Sequence, residues 1–252
     1  MITSSANPEV KALAALHDRS ERDRTGLFLI EGRKEVERAI AAGLAIQTIY
    51  RLSGSDPLTL PGNPRTVELG EVAYRKISYG RDGILATAVT PRFEIENLAI
   101  AEPALLLVVE SIEKPGNLGA ILRSADGAGA SMIVTEAVTD MVNPNVVRAS
   151  LGTLFTVPVA VATTETAIAY LQERSIAICA ATVTAGQAPW ELDLTSPVAI
   201  VIGSEHAGLS LPWRRAAQHQ VTLPLAGSAD SLNASVAAAV ILFESIRQRS
   251  KK

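Results

Sequence analysis

Residues 105–130 read "LLLVVESIEKPGNLGAILRSADGAGA", and the fold turns on this stretch. Five consecutive apolar residues ahead of Glu110 make a strand buried on both faces, as found inside a parallel sheet. The Pro-Gly-Asn that follows opens a helix with a single Arg123 among small residues. A strand, a glycine-bearing loop and a helix start can cradle a phosphate, because the first amides of a helix lack partners within it. The glycine spacing matches neither G-x-G-x-x-G nor the P-loop, so the common nucleotide motifs are excluded.

The chain beyond this stretch alternates in the same way. "SMIVTE", "TVPVAVA", "SIAICAATV", "SPVAIVIG" and "HQVTLPL" read as strands, and "PNVVRAS", "TETAIAYLQER" and "SLNASVAAAVILFESIRQR" as helices. That rhythm predicts an α/β fold with a mainly parallel sheet and ligands at the strands' C-terminal ends. Upstream, "NPEVKALAALHD" reads as a helix capped by Asn7 with Pro8 at its first position. "LFLIE", "AIQTIYRL" and "DGILATAV" read as strands, and "EGRKEVERAIAAG" as an amphipathic helix closed by Gly43. "TPRFEIENLAIAEPA" carries two prolines and no period. The expected organisation is a smaller N-terminal α/β domain over 1–90, a linker over 91–104 and a larger domain over 105–252.

Composition sets limits. The 252 residues are 48% hydrophobic and 19% charged, a globular balance. No apolar run is long enough to span a bilayer, and the N-terminus lacks the pattern of a secretion signal. Cys179, the single cysteine, sits in an apolar run and reads as a buried strand residue. A reducing cytoplasm is the expected compartment, with no membrane partner. The net charge of −3 does not itself point to nucleic acid, although a local patch can still bind it. The arginines of "HDRSERDRTG" and "YRKISYGRDG" read as solvated loops or helix faces. No metal site is expected, because the three histidines and one cysteine have no ligand spacing. No Gly-x-Ser-x-Gly elbow supports a hydrolase triad.

Three strand ends carry the unusual chemistry. The first holds Asn117, Gly119 and Arg123; a plain structural role would have Asn117 cap the helix and Arg123 pair with Asp126. The second, "VAIVIGSEHAGLS", holds Gly203, Ser204, Glu205 and Gly208, with glycines suited to close backbone approach. Its plain alternative is a turn with an exposed Glu, and His206 reads as a loop residue. The third, "LPLAGSADSLNASVAAAV", has Pro224 and Gly227 shaping a loop before Ser231, Asn233 and Ser235. Capping by Ser231 alone would explain only part of it.

Together the three resemble the signature motifs of the SpoU (TrmH) family of RNA ribose 2′-O-methyltransferases, within the SPOUT superfamily. P-x-N-x-G-x-x-x-R matches Pro115, Asn117, Gly119 and Arg123. G-x-E-x-x-G matches Gly203, Glu205 and Gly208. P-x-x-G followed by S-L-N-x-S matches Pro224, Gly227, Ser231, Leu232, Asn233 and Ser235, with Leu225 where Met is common. The N-terminal "ITSSANPEVKALAAL" and "GLFLIEGRKEVERAIAAG" are similar to members with an extra ribosomal-protein-like RNA-binding domain.

The resemblance implies a trefoil-knotted SPOUT domain that binds S-adenosylmethionine and works as a homodimer. It implies Arg123, Asn117, Glu205, Ser231 and Asn233 as catalytic residues, with Arg123 as base or as phosphate ligand. It implies Thr182, Gly203, Leu223 and Leu232 around the cofactor. The extra domain favours ribosomal RNA over tRNA as partner. The alternatives are a tRNA ribose 2′-O-methyltransferase and a non-catalytic RNA-binding protein of the same fold. An ordinary nucleotide-binding α/β enzyme is a third, disfavoured by the missing G-x-G-x-x-G.

Overall fold

The computed structural model describes residues 1–58, 64–78, 80, 82–184 and 186–251. Tyr79 and Arg81, part of the second arginine cluster, lie outside the described residues. The chain divides into two packing units, Met1–Arg92 with Asp140–Thr156, and Phe93–Thr139 with Val157–Lys252.

The first unit begins with α1 (Pro8–Ala15), where the Asn7 carboxamide accepts from Glu9 N at 2.8 Å. After α2 (Arg19–Thr25) come β1 (Leu27–Glu31), α3 (Arg33–Ala41), β2 (Ile46–Leu52), β3 (Arg65–Leu69), α4 (Glu71–Ile77) and β4 (Ile84–Val89). The strands form a sheet in the order β1-β4-β2-β3, antiparallel except for the β2–β3 pair. Val10, Leu13, Leu29, Leu69, Tyr74 and Leu85 close one core beneath α1 and α4. Sequence reading misses β3 and α4: the strand is five residues long, and the helix has no side-chain cap to announce it.

The second unit holds β5 (Leu105–Glu110), α5 (Pro115–Ala128) and β6 (Ser131–Thr135). The chain then makes α6 (Pro144–Ala149), inside the segment that packs with the first unit, and returns as β7 (Val159–Ala162). There follow α7 (Thr164–Glu173), β8 (Ala177–Ala181), β9 (Val198–Ile202), α8 (Leu211–Ala216), β10 (His219–Val221) and α9 (Ala234–Arg249). All six strands are parallel, in the order β10-β8-β9-β5-β6-β7. Every residue of β5, β6 and β9 is buried, which is why β9 reads as an unbroken apolar run, β5 as one up to Glu110, and β6 as three apolar residues between Ser131 and Thr135. Cys179 lies buried on β8, and burial pushes its thiol up to about 12.

Within the segment read as a linker over 91–104, Ile95 is buried in the core of the second unit, and Val161 N donates to Phe93 O at 2.7 Å. One sequence expectation changes: Arg22 is not solvated. It is 3% exposed and donates to Leu16 O at 2.7 Å, His17 O at 2.8 Å and the Asp140 carboxylate at 2.6 Å. Burial of a guanidinium is tolerable only with such partners. Gly152 completes this junction. Its φ is +78°, and a Cβ there would stand 3.1 Å from Glu35 Cα on α3.

Candidate active site

In the second unit the chain runs outward from β5 through β6 to β7, then restarts on the other side of β5 with β8 and β9. The order therefore reverses between β5 and β9, and loops leaving those two strands diverge into a crevice at their C-terminal ends. The loop before α5 leaves β5, and residues 203–210 leave β9. The loop of residues 222–233 leaves β10 and delivers α9, which packs along α5. Topology thus brings the three motif loops to one end of the sheet.

Glu205 is the hub where they meet. Its carboxylate accepts from Lys114 Nζ at 2.6 Å, Asn117 Nδ2 at 2.9 Å and Asn233 Nδ2 at 2.6 Å. Asn233 Nδ2 also approaches Asn117 Oδ1 at 3.2 Å. The Lys114 ammonium, with Asn117, holds the Glu205 carboxyl below its usual range, and Glu205 in turn raises Lys114. The Glu205 side chain is 23% exposed against 63% for Lys114, so the pair sits at the crevice rim.

The Glu205 loop is shaped by backbone packing. Ser204 and Gly208 form an antiparallel bridge, with Gly208 N donating to Ser204 O at 3.0 Å. A Cβ on Gly203 would collide with the Gly208 carbonyl and stand 2.5 Å from Leu209 N. Only glycine lets the two ends of the loop touch. The far end is held by Glu110, a 3%-exposed residue whose carboxylate accepts from Ser210 N at 2.7 Å and Thr164 Oγ1 at 3.1 Å.

The predicted residues divide accordingly. Asn117, Glu205 and Asn233 are joined directly. Asn117 lies inside α5 and does not cap it; the N-cap position is Lys114. The α9 cap is Asn233, not Ser231: its Oδ1 accepts from Ser235 N at 2.9 Å and Ser235 Oγ at 2.6 Å. Ser231 is exposed in the preceding loop. Arg123 is exposed on α5, two turns beyond Asn117, and has neither the Asp126 ion pair nor another partner among the described residues. His206 lines the shallow recess between Ile112, Lys114 and Ser204, as an exposed loop residue.

Thr182, Gly203 and Leu223 follow β8, β9 and β10, which are neighbours in the sheet, so all three stand on one rim. Thr182 Oγ1 meets Thr222 Oγ1 at 3.1 Å, next to the half-buried Leu223. Leu232 is 38% exposed. Among the described residues, no amide from 223 to 233 donates to a backbone carbonyl. Unspent main-chain groups beside partly exposed leucines fit the adenosine part of a nucleoside cofactor, which needs polar edges met and an apolar face covered. No group of His, Cys, Asp and Glu suited to a metal occurs among the described residues.

Sequence reading missed Lys114 and Glu110. A lysine at a helix N-cap opposes the helix dipole, and that local conflict is the signal of a tertiary partner. Glu110 is betrayed only by standing at the end of a fully buried strand.

Comparison with known proteins follows the same division. The model of the SpoU rRNA Methylase family matches residues 104–243, and that of the MRM3-like substrate binding domain matches residues 7–86. A 23S rRNA (uridine(2479)-2′-O)-methyltransferase from Streptomyces viridochromogenes is 32% identical, over 94% of this chain and 88% of its own. A crystal structure of an RNA 2′-O ribose methyltransferase is 40% identical with TM-score 0.86, covering 99% of both chains. An AdoMet-bound rRNA methyltransferase from Sinorhizobium meliloti is 30% identical with TM-score 0.89, covering 98% of this chain and 97% of that one.

Proposed function

The chain belongs to the SpoU rRNA methylase family, and from that premise we propose that it methylates a ribose 2′-hydroxyl of large-subunit ribosomal RNA. The observation that carries this reading is the Glu205 network, which joins all three motif loops through Asn117 and Asn233. S-adenosylmethionine, when bound, supplies an already activated methyl group on a sulfonium. The protein's tasks are then alignment and removal of a proton from a weakly acidic hydroxyl.

Thr182, Gly203, Leu223 and Leu232 would hold the cofactor along the β8–β9–β10 rim. Asn117 would position the ribose, with its amide fixed by Glu205. Ser231 and Asn233 would close the pocket from the α9 side. Arg123 is the group assigned to the reacting hydroxyl. A guanidinium is a poor base, so its contribution would be to bind phosphate and stabilise negative charge developing on the oxygen, while the hydroxyl proton leaves to solvent water. Its exposure and lack of a partner among the described residues leave it able to do so.

The N-terminal domain, matched over residues 7–86, would hold the RNA and choose the target; recognition of folded RNA commonly needs contact beyond the catalytic pocket. A homodimer belongs to the same reading. Val236, Val240 and Phe243 repeat at helical spacing on α9 and are 47%, 43% and 50% exposed, an apolar stripe suited to a second copy. A knotted C-terminal passage and a cytoplasmic site of action belong to the same reading.

The test supplies tritiated S-adenosylmethionine with unmodified ribosomal RNA and, separately, tRNA, using wild-type protein and Arg123→Ala. Label on a ribose of ribosomal RNA, lost in the variant while cofactor binding persists, is the expected result. Label on tRNA alone replaces the substrate. Cofactor binding with no label on either RNA favours a non-catalytic RNA-binding protein. Light scattering on Phe243→Asp tests the dimer, with a fall to monomer mass expected.

A further inference from the structure

The second unit is acidic: residues 93–139 and 157–252 hold nine Lys and Arg against fourteen Asp and Glu. A polyanion approaching the Glu205 network meets that unfavourable field, so cations close to the crevice must carry the contact. Four of the unit's nine cations are engaged elsewhere. Lys114 is paired with Glu205 at 2.6 Å, and Arg247 with Glu244 at 2.6 Å. The Arg174 guanidinium lies 3.6 Å over the Tyr170 ring. Arg249 donates to the carbonyls of Pro103, Ala104, Leu194 and Ser196 at 2.7 to 3.1 Å.

Arg214 and Arg215 are different. Both are exposed, and neither has an acidic or carbonyl partner for its side chain among the described residues. They stand on α8, the element that directly follows residues 203–210, and α8 is firmly seated. Trp213 between them and the loop is fully buried, and Ser210 N at the N-cap is held by Glu110 at 2.7 Å. Arg214 Nη2 lies 3.5 Å from where a Cβ on Gly208 would stand, so its guanidinium rests against the loop that presents Glu205. Gly208, at φ +65°, offers no side chain to displace it.

We propose that Arg214 and Arg215 bind RNA phosphates flanking the target nucleotide, as a second cationic contact in addition to Arg123. The identity of the polyanion rests on the methyl-transfer reading; the phosphate contact does not. Guanidinium forks match phosphate oxygens in pairs, and two adjacent arginines on a seated helix present a fixed purchase on a backbone whose bases remain free to enter the crevice.

The experiment measures binding of full-length protein to an end-labelled, in vitro transcribed large-subunit ribosomal RNA by fluorescence anisotropy from 50 to 200 mM KCl. Removing one phosphate-binding charge lowers the slope of log K against log salt by about 0.7 to 0.9. Arg214→Gln and Arg215→Gln are each expected to lower it by one such increment, and the double variant by two. The KM for RNA rises, while S-adenosylmethionine affinity by calorimetry stays at the wild-type value. The double lysine variant keeps the charge and the slope, which separates removal of a charge from damage to the fold. Arg174→Gln, whose side chain is occupied by Tyr170, retains the wild-type slope. A double glutamine variant with an unchanged slope overturns the proposal. An unchanged slope together with a fall in oligomer mass assigns the pair to a protein contact instead. A reduced slope in a protein that methylates no RNA leaves the phosphate contact standing and removes the methyl-transfer reading.

Discussion

Gly203→Ala is the most direct test of how the Glu205 loop is built. The backbone angle at Gly203 lies outside the left-handed region, so alanine is allowed there and the effect is purely steric. Its Cβ would stand 2.5 Å from Leu209 N, and nearer still to the Gly208 carbonyl, where ordinary contact begins at 3.4 Å. The returning strand of the loop must therefore withdraw by about 1 Å, and both colliding groups are backbone that no rotamer change can move. Overpacking of this kind costs about 1–3 kcal/mol of stability. The catalytic consequence is larger: a displacement of ~1 Å at a positioning group can cost about 10²-fold in rate. The assay is single-turnover methyl transfer at saturating RNA, with cofactor affinity measured separately by calorimetry. Gly116→Ala is the control for stability, because no atom lies within 4 Å of the added methyl. Transfer by Gly203→Ala within twofold of wild type would refute the claim that backbone contact at Gly208 sets the loop.

Three further outcomes follow from the same contacts. Glu205 is held below its ordinary value of 4.5 by Lys114 and Asn117, so its stabilising contribution is complete above pH 4.5 and is lost as pH falls through its folded value; melting temperatures of wild type and Glu205→Gln should diverge near neutrality and converge in acid, and parallel curves would contradict the pairing. Glu110→Ala leaves the Ser210 amide without its buried acceptor, at a cost of about 1–3 kcal/mol, whereas Glu110→Gln retains an acceptor and recovers most of it; equal urea midpoints for the two variants would show that the carboxylate does not anchor the loop. Arg22→Ala strands the Asp140 carboxylate and should destabilise the first unit by about 3–5 kcal/mol, while Arg22→Met with Asp140→Leu recovers the part due to the stranded carboxylate and leaves the Leu16 and His17 carbonyls without their donor; denaturant unfolding of single and double variants reads this directly.

What the sequence determined by itself was whatever depends on local period and on motif chemistry. The apolar runs of β5, β6 and β9 declare strands buried on both faces, because no polar face is left to alternate. Asn7 with Pro8 marks the start of α1, since cap and first-turn geometry are local. The three motifs single out Asn117, Glu205 and Asn233 from residue type and spacing alone. Only the tertiary structure decided what those residues do to one another. Asn117 and Glu205 are far apart in the chain and become bonded at 2.9 Å because β5 and β9 are neighbours at the point where strand order reverses. The same holds for choices that look arbitrary in one dimension. Lys114 occupies a helix cap against the dipole because Glu205 is across the crevice, and Arg22 is buried because residues 140–156 return to cover it. Hydrophobic period is written within a few residues, whereas a charge acquires its partner only after the sheet has fixed which loops stand side by side.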